Sequence, residues 1–262
     1  MSGVNGSGSG LPVARVPHWL SIPGLVHGFL GRAGGVSAGP FASLNVSYGQ
    51  GDEPAAVDEN RRRVATTLTP QGRLVAMQQT HGDRVTVVDS PIEPVGSADG
   101  MVTARAGAVL SVLTADCVPI LLTAPRQRVV AAVHAGWRGT VAGIAVHALE
   151  RLERDFGVVP SEIEAALGPA IGGCCYEVTR EIAEQFSSRW GDLSEDAWRP
   201  AGDRGWLDLR RANTLLLQRS GVREQQVHCI GPCTRCAAHD YFSHRASGGR
   251  TGRQISYIGL TI

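Results

Sequence analysis

The residue types that suit a catalytic metal occur at His81, Cys117 and His134. Each lies at the end of an apolar run, beside glycine or another small residue, and open α/β sheets place their ligands at such strand ends. Two imidazoles and one thiolate are common zinc ligands, and they leave a fourth position open for water or a substrate oxygen. The intervals between the three residues match no short zinc motif. The residues alone therefore favour a buried cysteine with two hydrogen-bonded histidines.

A second set of possible ligands occurs near the C-terminus, at Cys229, Cys233, Cys236 and His239. Cys233 and Cys236 have the C-x-x-C spacing that is typical of a zinc knuckle, which would be a closed, structural site. The sequence has no second C-x-x-C pair, and no thioredoxin-like βαβ unit surrounds this one. A structural metal and a redox role are both compatible with this set.

Two adjacent cysteines, Cys174 and Cys175, follow the glycine-rich stretch 168–173. A disulfide between neighbours would be strained, and the glycines indicate unusual backbone angles. One interpretation is a tight turn with one small buried thiol, and the other is a loop that lines a cleft.

All 25 basic residues are arginines, because the sequence contains no lysine. This excludes a Schiff-base lysine, a pyridoxal-phosphate anchor and a P-loop lysine. An anionic substrate would have to be held by arginine, backbone N–H groups or a helix N-terminus. Four arginines lie near the motifs: Arg61, Arg84, Arg138 and Arg245. The segment from Arg138 through Gly139 opens a predicted helix directly after a buried strand, which suits a phosphate.

The composition is that of an ordinary globular protein of 262 residues, with 43% hydrophobic and 19% charged residues. The net charge of +1 favours neither nucleic acid nor a membrane surface. No apolar run reaches the length of a membrane span, and the first ten residues lack a basic start and an apolar stretch. We therefore expect a cytoplasmic protein whose six cysteines are reduced.

Helical and strand patterns are interleaved along the chain, which indicates the α/β class. Residues 1–10 are rich in glycine and serine and predict a flexible tail, and residues 11–262 predict a single domain. Predicted strands cover residues 74–77, 85–88, 108–113, 118–123, 129–133, 163–167, 227–230 and 255–260. Predicted helices cover residues 55–68, 140–156, 178–189 and 209–220. The order of the strands in a sheet does not follow from these patterns.

Ten short segments occur in an order that resembles the laccase-domain family, also called the polyphenol oxidase or purine nucleoside phosphorylase family. The resemblance covers about residues 20–262, and its most specific motifs are Thr114-Ala-Asp116-Cys117 and His134-Ala-Gly136-Trp137-Arg138-Gly139. The other segments are Ser43-Leu-Asn45, Glu59-Asn60-Arg61, Gln78-Gln-Thr-His81-Gly82, Ala98-Asp99-Gly100, Leu167-Gly-Pro-Ala-Ile-Gly172, Cys233-Thr-Arg-Cys236, Phe242-Ser-His-Arg245 and Thr251-Gly-Arg253.

The resemblance implies a single-domain α/β/β/α sandwich with mixed sheets. It also implies one zinc ion held by His81, Cys117 and His134, with copper able to occupy the site in vitro. The implied activity is phosphorolysis of purine nucleosides such as adenosine, inosine, guanosine and S-methyl-5′-thioadenosine, with deamination of adenosine beside it. Purine nucleoside and phosphate are therefore the expected partners. The oligomeric state is not predicted, and a monomer is compatible with the sequence.

Roles for the remaining residues follow from this chemistry. The catalytic set is expected to be Cys117, His134, Asp116 and Asp99, where the two aspartates orient a ligand histidine or move protons or else cap turns. The substrate and phosphate are expected to contact Asn45, Arg61, Arg138, Gly139, Phe242 and Arg245. Phe242 and Trp137 could stack on the base, although Trp137 suits a core position equally well.

Three other functions are compatible with parts of the sequence. Copper-dependent oxidation of phenols matches the older family name, but the sequence contains no His-x-His pair. A cysteine hydrolase could use Cys117 as nucleophile and His134 as base. A metal-binding protein without enzymatic activity would use the clustered thiols structurally.

Overall fold

A computed structural model describes residues 10–67, 72–90, 95–191 and 196–261. Nine of the ten residues of the predicted flexible tail, 1–9, lie outside the described residues. The described helices are α1 (Pro54–Thr67), α2 (Trp137–Ala142), α3 (Ile144–Phe156), α4 (Arg180–Trp190) and α5 (Leu209–Arg219). None of them is both long and apolar enough to span a bilayer.

The described ranges contain fourteen strands. They are β1 (Val13–Ala14), β2 (Leu25–Leu30), β3 (Arg73–Val75), β4 (Val85–Val87), β5 (Gly100–Thr103), β6 (Ala108–Thr114), β7 (Val118–Ala124), β8 (Val129–Ala135), β9 (Glu164–Leu167), β10 (Glu177–Thr179), β11 (Trp198–Ala201), β12 (Arg204–Leu207), β13 (Val227–Cys229) and β14 (Gln254–Leu260).

The strands form two large sheets and one small one. The five-stranded sheet has the order β1-β2-β14-β6-β3, and the six-stranded sheet has the order β13-β9-β7-β8-β5-β4. Both sheets are mixed. Strand β3 pairs parallel to β6 and β4 pairs parallel to β5, whereas β6 pairs antiparallel to β14 and β5 pairs antiparallel to β8. The small sheet, β10-β12-β11, is antiparallel.

Alternating side chains explain why the two large sheets lie in the middle of the molecule. Along β6, Val109 packs with α1, while Leu110 packs between the sheets. Along β7, Leu121 packs between the sheets, while Ile120 faces the helices α3 and α5. Because successive strand residues point to opposite faces, these nearly continuous apolar strands are buried on both sides. The result is the expected α/β/β/α sandwich with mixed sheets.

One predicted helix is divided in two. The pattern at residues 140–156 predicts a single helix, but the chain breaks at Gly143, whose φ of 94° ends α2 before α3 begins. A side chain there would also meet the ring of Trp190 at 3.0 Å. The predicted helix 178–189 begins at Arg180, because residues 177–179 form β10.

The chain crosses between the two large sheets at one end of the sandwich. The segment between β3 and β4 passes from the five-stranded to the six-stranded sheet, and so does the three-residue segment between β6 and β7. Strand β8 ends beside the start of β7, since Ala135 pairs with Val118. This end therefore gathers two sheet-to-sheet crossings and one strand terminus.

Candidate metal centre and its cleft

The fold brings His81, Cys117 and His134 together at these crossings, and we call them the metal triad. His81 lies in the first crossing and Cys117 in the second, while His134 is the penultimate residue of β8. Their ligand atoms all lie within 4.8 Å of one another, and the two imidazole rings meet edge to face with centroids 4.8 Å apart. Residues that are distant in the sequence thus converge on one point.

The donor set and the space between the donors fit a metal ion. Gly136 lies directly beside the triad, and a Cβ at this position would sit 3.2 Å from Cys117 Sγ and 3.2 Å from His81 Cδ2. Its φ of −77° is open to any residue, so the glycine is required by the close approach and not by the backbone angle. Two nitrogens and one sulfur, with a further side facing a cleft, match a zinc site that keeps an open position.

Asp99 holds both histidine segments of the triad. Its carboxylate accepts hydrogen bonds from the backbone N–H groups of Thr80, His81 and Gly82 at 2.8–3.1 Å. It also bonds His134 Nδ1 at 2.8 Å, which leaves the other ring nitrogen of His134 for a metal. The side chain of Asp99 is completely buried. The His81 loop therefore takes its shape from this carboxylate, and His81 itself has a φ of 61°.

The charges of the triad favour the ligand form of the thiol. Burial opposes ionisation of Cys117, but His134 and His81 lower its pKa from 9.0 to about 6. Burial also opposes protonation of His134, yet the Cys117 thiolate and the Asp99 carboxylate raise its pKa from 6.5 to about 9. Asp99 stays ionised, because its bonds to His134 and Gly82 outweigh burial and lower its pKa to about 2. A thiolate is the form that binds metals.

The triad opens onto a cleft of about 850 Å³, a size typical of small-molecule sites. Four arginines line it: Arg61, Arg138, Arg245 and Arg253. Asp116 is the one carboxylate among the described residues of the lining. The cleft is therefore suited to an anion.

The carboxylate of Asp116 is already hydrogen-bonded to other residues of the protein. Its carboxylate accepts hydrogen bonds from the hydroxyl of Thr234 at 2.6 Å and from the backbone N–H of Arg245 at 2.7 Å. Its φ of 90° is unusual for a residue other than glycine. These bonds hold the strained turn that presents the adjacent Cys117 to the triad.

Three residues expected to contact the substrate lie outside the lining of the cleft. Asn45 is fully buried and accepts the backbone N–H groups of Ser47 and Arg253, so it positions residues that do line the cleft. Phe242 is fully buried beneath the guanidinium of Arg32, and its ring is not available for stacking on a base. Gly139 allows α2 to pack on the His81 loop, since a Cβ would lie 2.7 Å from the Gly82 oxygen.

The other three residues expected to contact the substrate, Arg61, Arg138 and Arg245, do line the cleft. Arg61 donates to the Val46 oxygen and Arg138 stacks over Trp137, which both lines the cleft and packs against the core. The guanidinium of Arg245 bonds the Glu177 oxygen and lies over the ring of Tyr176. Arg84, named only for its position near the motifs, is exposed and outside the lining.

The lining residues to which the sequence analysis assigned no role include Tyr48, Tyr176, His244 and Arg253. His244 and Arg253 belong to segments that carry the family resemblance, so the resemblance could have identified them as candidates. The two tyrosines stand in no motif that we used, and only the fold brings them to the cleft.

The structure corrects the grouping of the other cysteines. Cys233 and Cys236 lie with Cys174 and Cys175, and their four sulfurs are within 4.8 Å of one another. Cys229 and His239 belong to no such group among the described residues. Burial opposes ionisation of Cys233, but the backbone N–H groups of Gly172 and Cys236 lower its pKa from 9.0 to about 7. The glycine-rich stretch thus forms the turn that delivers two thiols to the C-x-x-C pair.

The fold and the site together define a class: an α/β/β/α sandwich with a His/Cys/His metal site at the crossings between its sheets. The chain belongs to the family described as multi-copper polyphenol oxidoreductase laccase, whose model matches residues 26–261. Its relatives include proteins named purine nucleoside phosphorylase. The one from Deinococcus radiodurans is 41% identical over 252 residues, which cover 96% of this chain and 94% of the relative. The one from Geobacillus stearothermophilus, YlmD, is 38% identical over 247 residues, which cover 90% of each chain.

Solved structures agree with the sequence relatives. The crystal structure of the hypothetical protein YfiH from Bacillus licheniformis has a TM-score of 0.87 and 33% identity, and the match covers 90% of this chain and 92% of that one. The crystal structure of YlmD from Geobacillus stearothermophilus has a TM-score of 0.85 and 36% identity, with 92% and 93% covered. The fold is therefore that of the family.

Proposed function

We propose that this protein is a zinc-dependent purine nucleoside phosphorylase that also deaminates adenosine. The observation that carries the proposal is a metal triad opening onto a cleft with four arginines and one carboxylate that the scaffold already occupies. Relatives named purine nucleoside phosphorylase match nearly the whole chain, which supports purine nucleosides and phosphate as the substrates.

His81, Cys117 and His134 would hold the zinc ion. When bound there, zinc would supply a Lewis-acidic position that can polarise a substrate oxygen or activate the water needed for deamination. Asp99 fixes the orientation of His134 and the conformation of the His81 loop, a supporting role that metal sites commonly require.

Phosphate must approach ribose C1′ as the bond from C1′ to the purine breaks, so an anion has to be held beside a carbon that becomes cationic. Arg61, Arg138 and Arg253 are our candidates for holding it. Arg253 is fixed in place, because its guanidinium donates to the oxygens of Thr251 and Gly252. Guanidinium groups suit this task, since they bind phosphate oxygens in pairs.

The nucleoside would lie against the aromatic side of the cleft. Tyr48, Trp137 and Tyr176 line it and offer faces for a purine to stack on. Thr114 is also a residue of the lining. His244 could donate a proton to the departing purine.

The direct test is phosphate-dependent release of hypoxanthine from inosine. We expect activity in the zinc-loaded protein, and a loss of about 100-fold or more in kcat/KM for Cys117→Ser, since three protein ligands hold the ion. Cys229→Ser is the matched control, because Cys229 is exposed and outside the cleft lining. Absence of purine release at every zinc and phosphate concentration would overturn the proposal.

The same preparations separate the alternatives. Ammonia release from adenosine measures the deaminase activity, and oxygen uptake with a phenol measures laccase activity. The arrangement Cys117–His134–Asp99 also matches that of a cysteine hydrolase. Activity that survives removal of the metal and is abolished by alkylation of Cys117 would favour that function over phosphorolysis.

A further inference from the structure

Four cysteines form a compact group outside the cleft: Cys174, Cys175, Cys233 and Cys236, called here the thiol cluster. Cys236 Sγ lies 3.4 Å from Cys175 Sγ and 3.7 Å from Cys174 Sγ, and all four sulfurs lie within 4.8 Å of one another. Sulfurs around a tetrahedral zinc ion at about 2.3 Å are separated by roughly 3.8 Å. The cluster therefore has the dimensions of a four-sulfur metal site before any side chain moves.

Backbone contacts hold the two halves of the cluster at this distance. Ala170 and Cys233 form a parallel β-bridge, and the N–H of Thr234 donates to the Ala170 oxygen at 3.0 Å. The turn that carries the cysteine pair is closed by bonds from the Cys175 and Tyr176 N–H groups to the Gly172 oxygen. Main-chain hydrogen bonds thus hold the two halves in place in addition to the contacts that the sulfurs make.

A backbone donor favours a thiolate at Cys233, and the donor set of the cluster suits a soft cation. The N–H of Gly172 donates to Cys233 Sγ at 3.2 Å, and such donors stabilise a sulfur anion. No carboxylate or imidazole belongs to this group among the described residues. An all-sulfur donor set selects zinc, Cu(I) or iron–sulfur centres over hard cations. All four thiols are free of disulfide bonds.

We propose that the thiol cluster is a second metal site, a closed structural site for Zn²⁺ with four thiolate ligands. It would cross-link the loop after β9 to the segment after β13, both of which reach the cleft. Ile171 and Tyr176 of the first loop line the cleft, and Thr234 of the second holds Asp116 beside the metal triad. The bound ion would therefore support one wall of the cleft without contacting the substrate.

The test is the metal content of the whole chain. The protein is equilibrated with Zn²⁺ and a reductant that lacks thiol groups, freed of excess metal, and its zinc is measured per chain. We expect two zinc ions in the wild type and one in Cys174→Ser and in Cys236→Ser, which change exposed thiols. Cys117→Ser should retain the ion of the thiol cluster, and the matched control Cys229→Ser should retain both.

Cobalt substitution gives a second readout, which reports the number of thiolate ligands directly. Four-thiolate Co²⁺ has stronger visible and charge-transfer bands than Co²⁺ with one thiolate, so Cys117→Ser should keep most of the wild-type absorption. One zinc per chain in the wild type, together with four reactive thiols in the cluster, would overturn the proposal.

A third group of possible ligands must be separated from the thiol cluster. His18, Glu164 and His228 also lie within ligand distance of one another. A second zinc ion that persists in Cys236→Ser and disappears in His228→Asn would place it there, and the proposal would be wrong.

Discussion

The metal triad and the thiol cluster are built alike but differ in what surrounds them. Each joins segments that are far apart in the sequence, and each lies against a glycine, Gly136 or Gly172, whose Cβ would contact the ligands. The triad mixes nitrogen and sulfur and opens onto an arginine-lined cleft. The thiol cluster contains sulfur alone, and none of its four residues lines that cleft.

This difference teaches which features indicate chemistry and which indicate a cross-link. An open coordination position needs a ligand set that leaves one side free and a buried neighbour, here Asp99, that orients the ligands. A closed site needs only that its four donors converge. The two sites are connected through Thr234, which follows Cys233 in the chain and bonds Asp116, which precedes Cys117.

Asp99→Asn should produce the largest difference between the two sites. The amide keeps one acceptor oxygen and puts N–H donors in place of the other, so it loses either the bonds from Thr80 and Gly82 or the bonds with His81 and His134. It also removes the charge beside His134. We expect the zinc affinity of the triad to fall about 100-fold, at the upper end for loss of a supporting carboxylate. Competition with a chromophoric chelator measures the affinity.

The thiol cluster is the internal control for that variant. Its metal affinity should change less than about twofold, since Asp99 contacts none of its residues among the contacts described. An equal loss at both sites would mean that Asp99→Asn damages the whole fold, and the distinction between an oriented site and a simple cross-link would fail.

Two glycine substitutions compare the space at the sites directly. In Gly136→Ala the new methyl carbon would lie 3.2 Å from Cys117 Sγ and His81 Cδ2, whereas in Gly172→Ala it would lie 3.4 Å from Cys174 Sγ. The first distance is tighter than most real contacts, so the ligands must yield slightly, and the second lies at the lower limit of ordinary van der Waals contact. Since overpacking costs about 1–3 kcal/mol, we expect zinc affinity to fall about 10-fold at the triad for Gly136→Ala.

For Gly172→Ala we expect a change of less than about threefold at the thiol cluster. Neither glycine has a positive φ, so backbone strain does not enter the comparison. Zinc titration of both variants measures the effect. A larger loss for Gly172→Ala than for Gly136→Ala would show that the thiol cluster is the tighter of the two sites.

The sequence predicts the sandwich well where strands are strongly apolar. The predicted strands 108–113, 118–123 and 129–133 correspond to β6, β7 and β8, and helix α1 begins one residue before its predicted start. The sequence patterns did not predict the hairpin of β11 and β12, because Trp198, Arg199 and Pro200 show no apolar alternation. The break at Gly143 also escaped prediction, since one glycine in an apolar helical pattern is compatible with a continuous helix.

The metal triad shows what periodicity cannot provide. His27 and His134 are both buried histidines of central strands, yet burial lowers the pKa of His27 to about 4, with Arg15 contributing, while partners raise that of His134. Only the contacts with Asp99 and Cys117 distinguish the two, and these depend on which strands neighbour each other. The family resemblance, and not the spacing, identified the triad. The resemblance gave no partners for Cys233 and Cys236, which the fold brings together with Cys174 and Cys175.

The smallest effect that we predict is a coupling between the thiol cluster and the cleft. Tyr176 follows Cys175 directly, its N–H bonds the Gly172 oxygen, and its ring lines the cleft beneath Arg245. We expect Tyr176→Ala to raise KM for inosine about 3- to 10-fold, and Cys236→Ser to raise it about 2- to 5-fold by releasing the loop.

A double-mutant cycle decides whether the two changes act through the same loop. In a protein that lacks the ring of Tyr176, release of the loop can no longer displace that ring from the cleft. In this background Cys236→Ser should therefore raise KM less than about twofold. That corresponds to a coupling energy of about 0.5–1 kcal/mol, as is typical of residues that share a segment. Cys229→Ser should be additive with Tyr176→Ala, because Cys229 lies outside that loop. If Cys236→Ser were additive as well, the thiol cluster would stabilise the fold without supporting the wall of the cleft, and the two sites would be independent of each other.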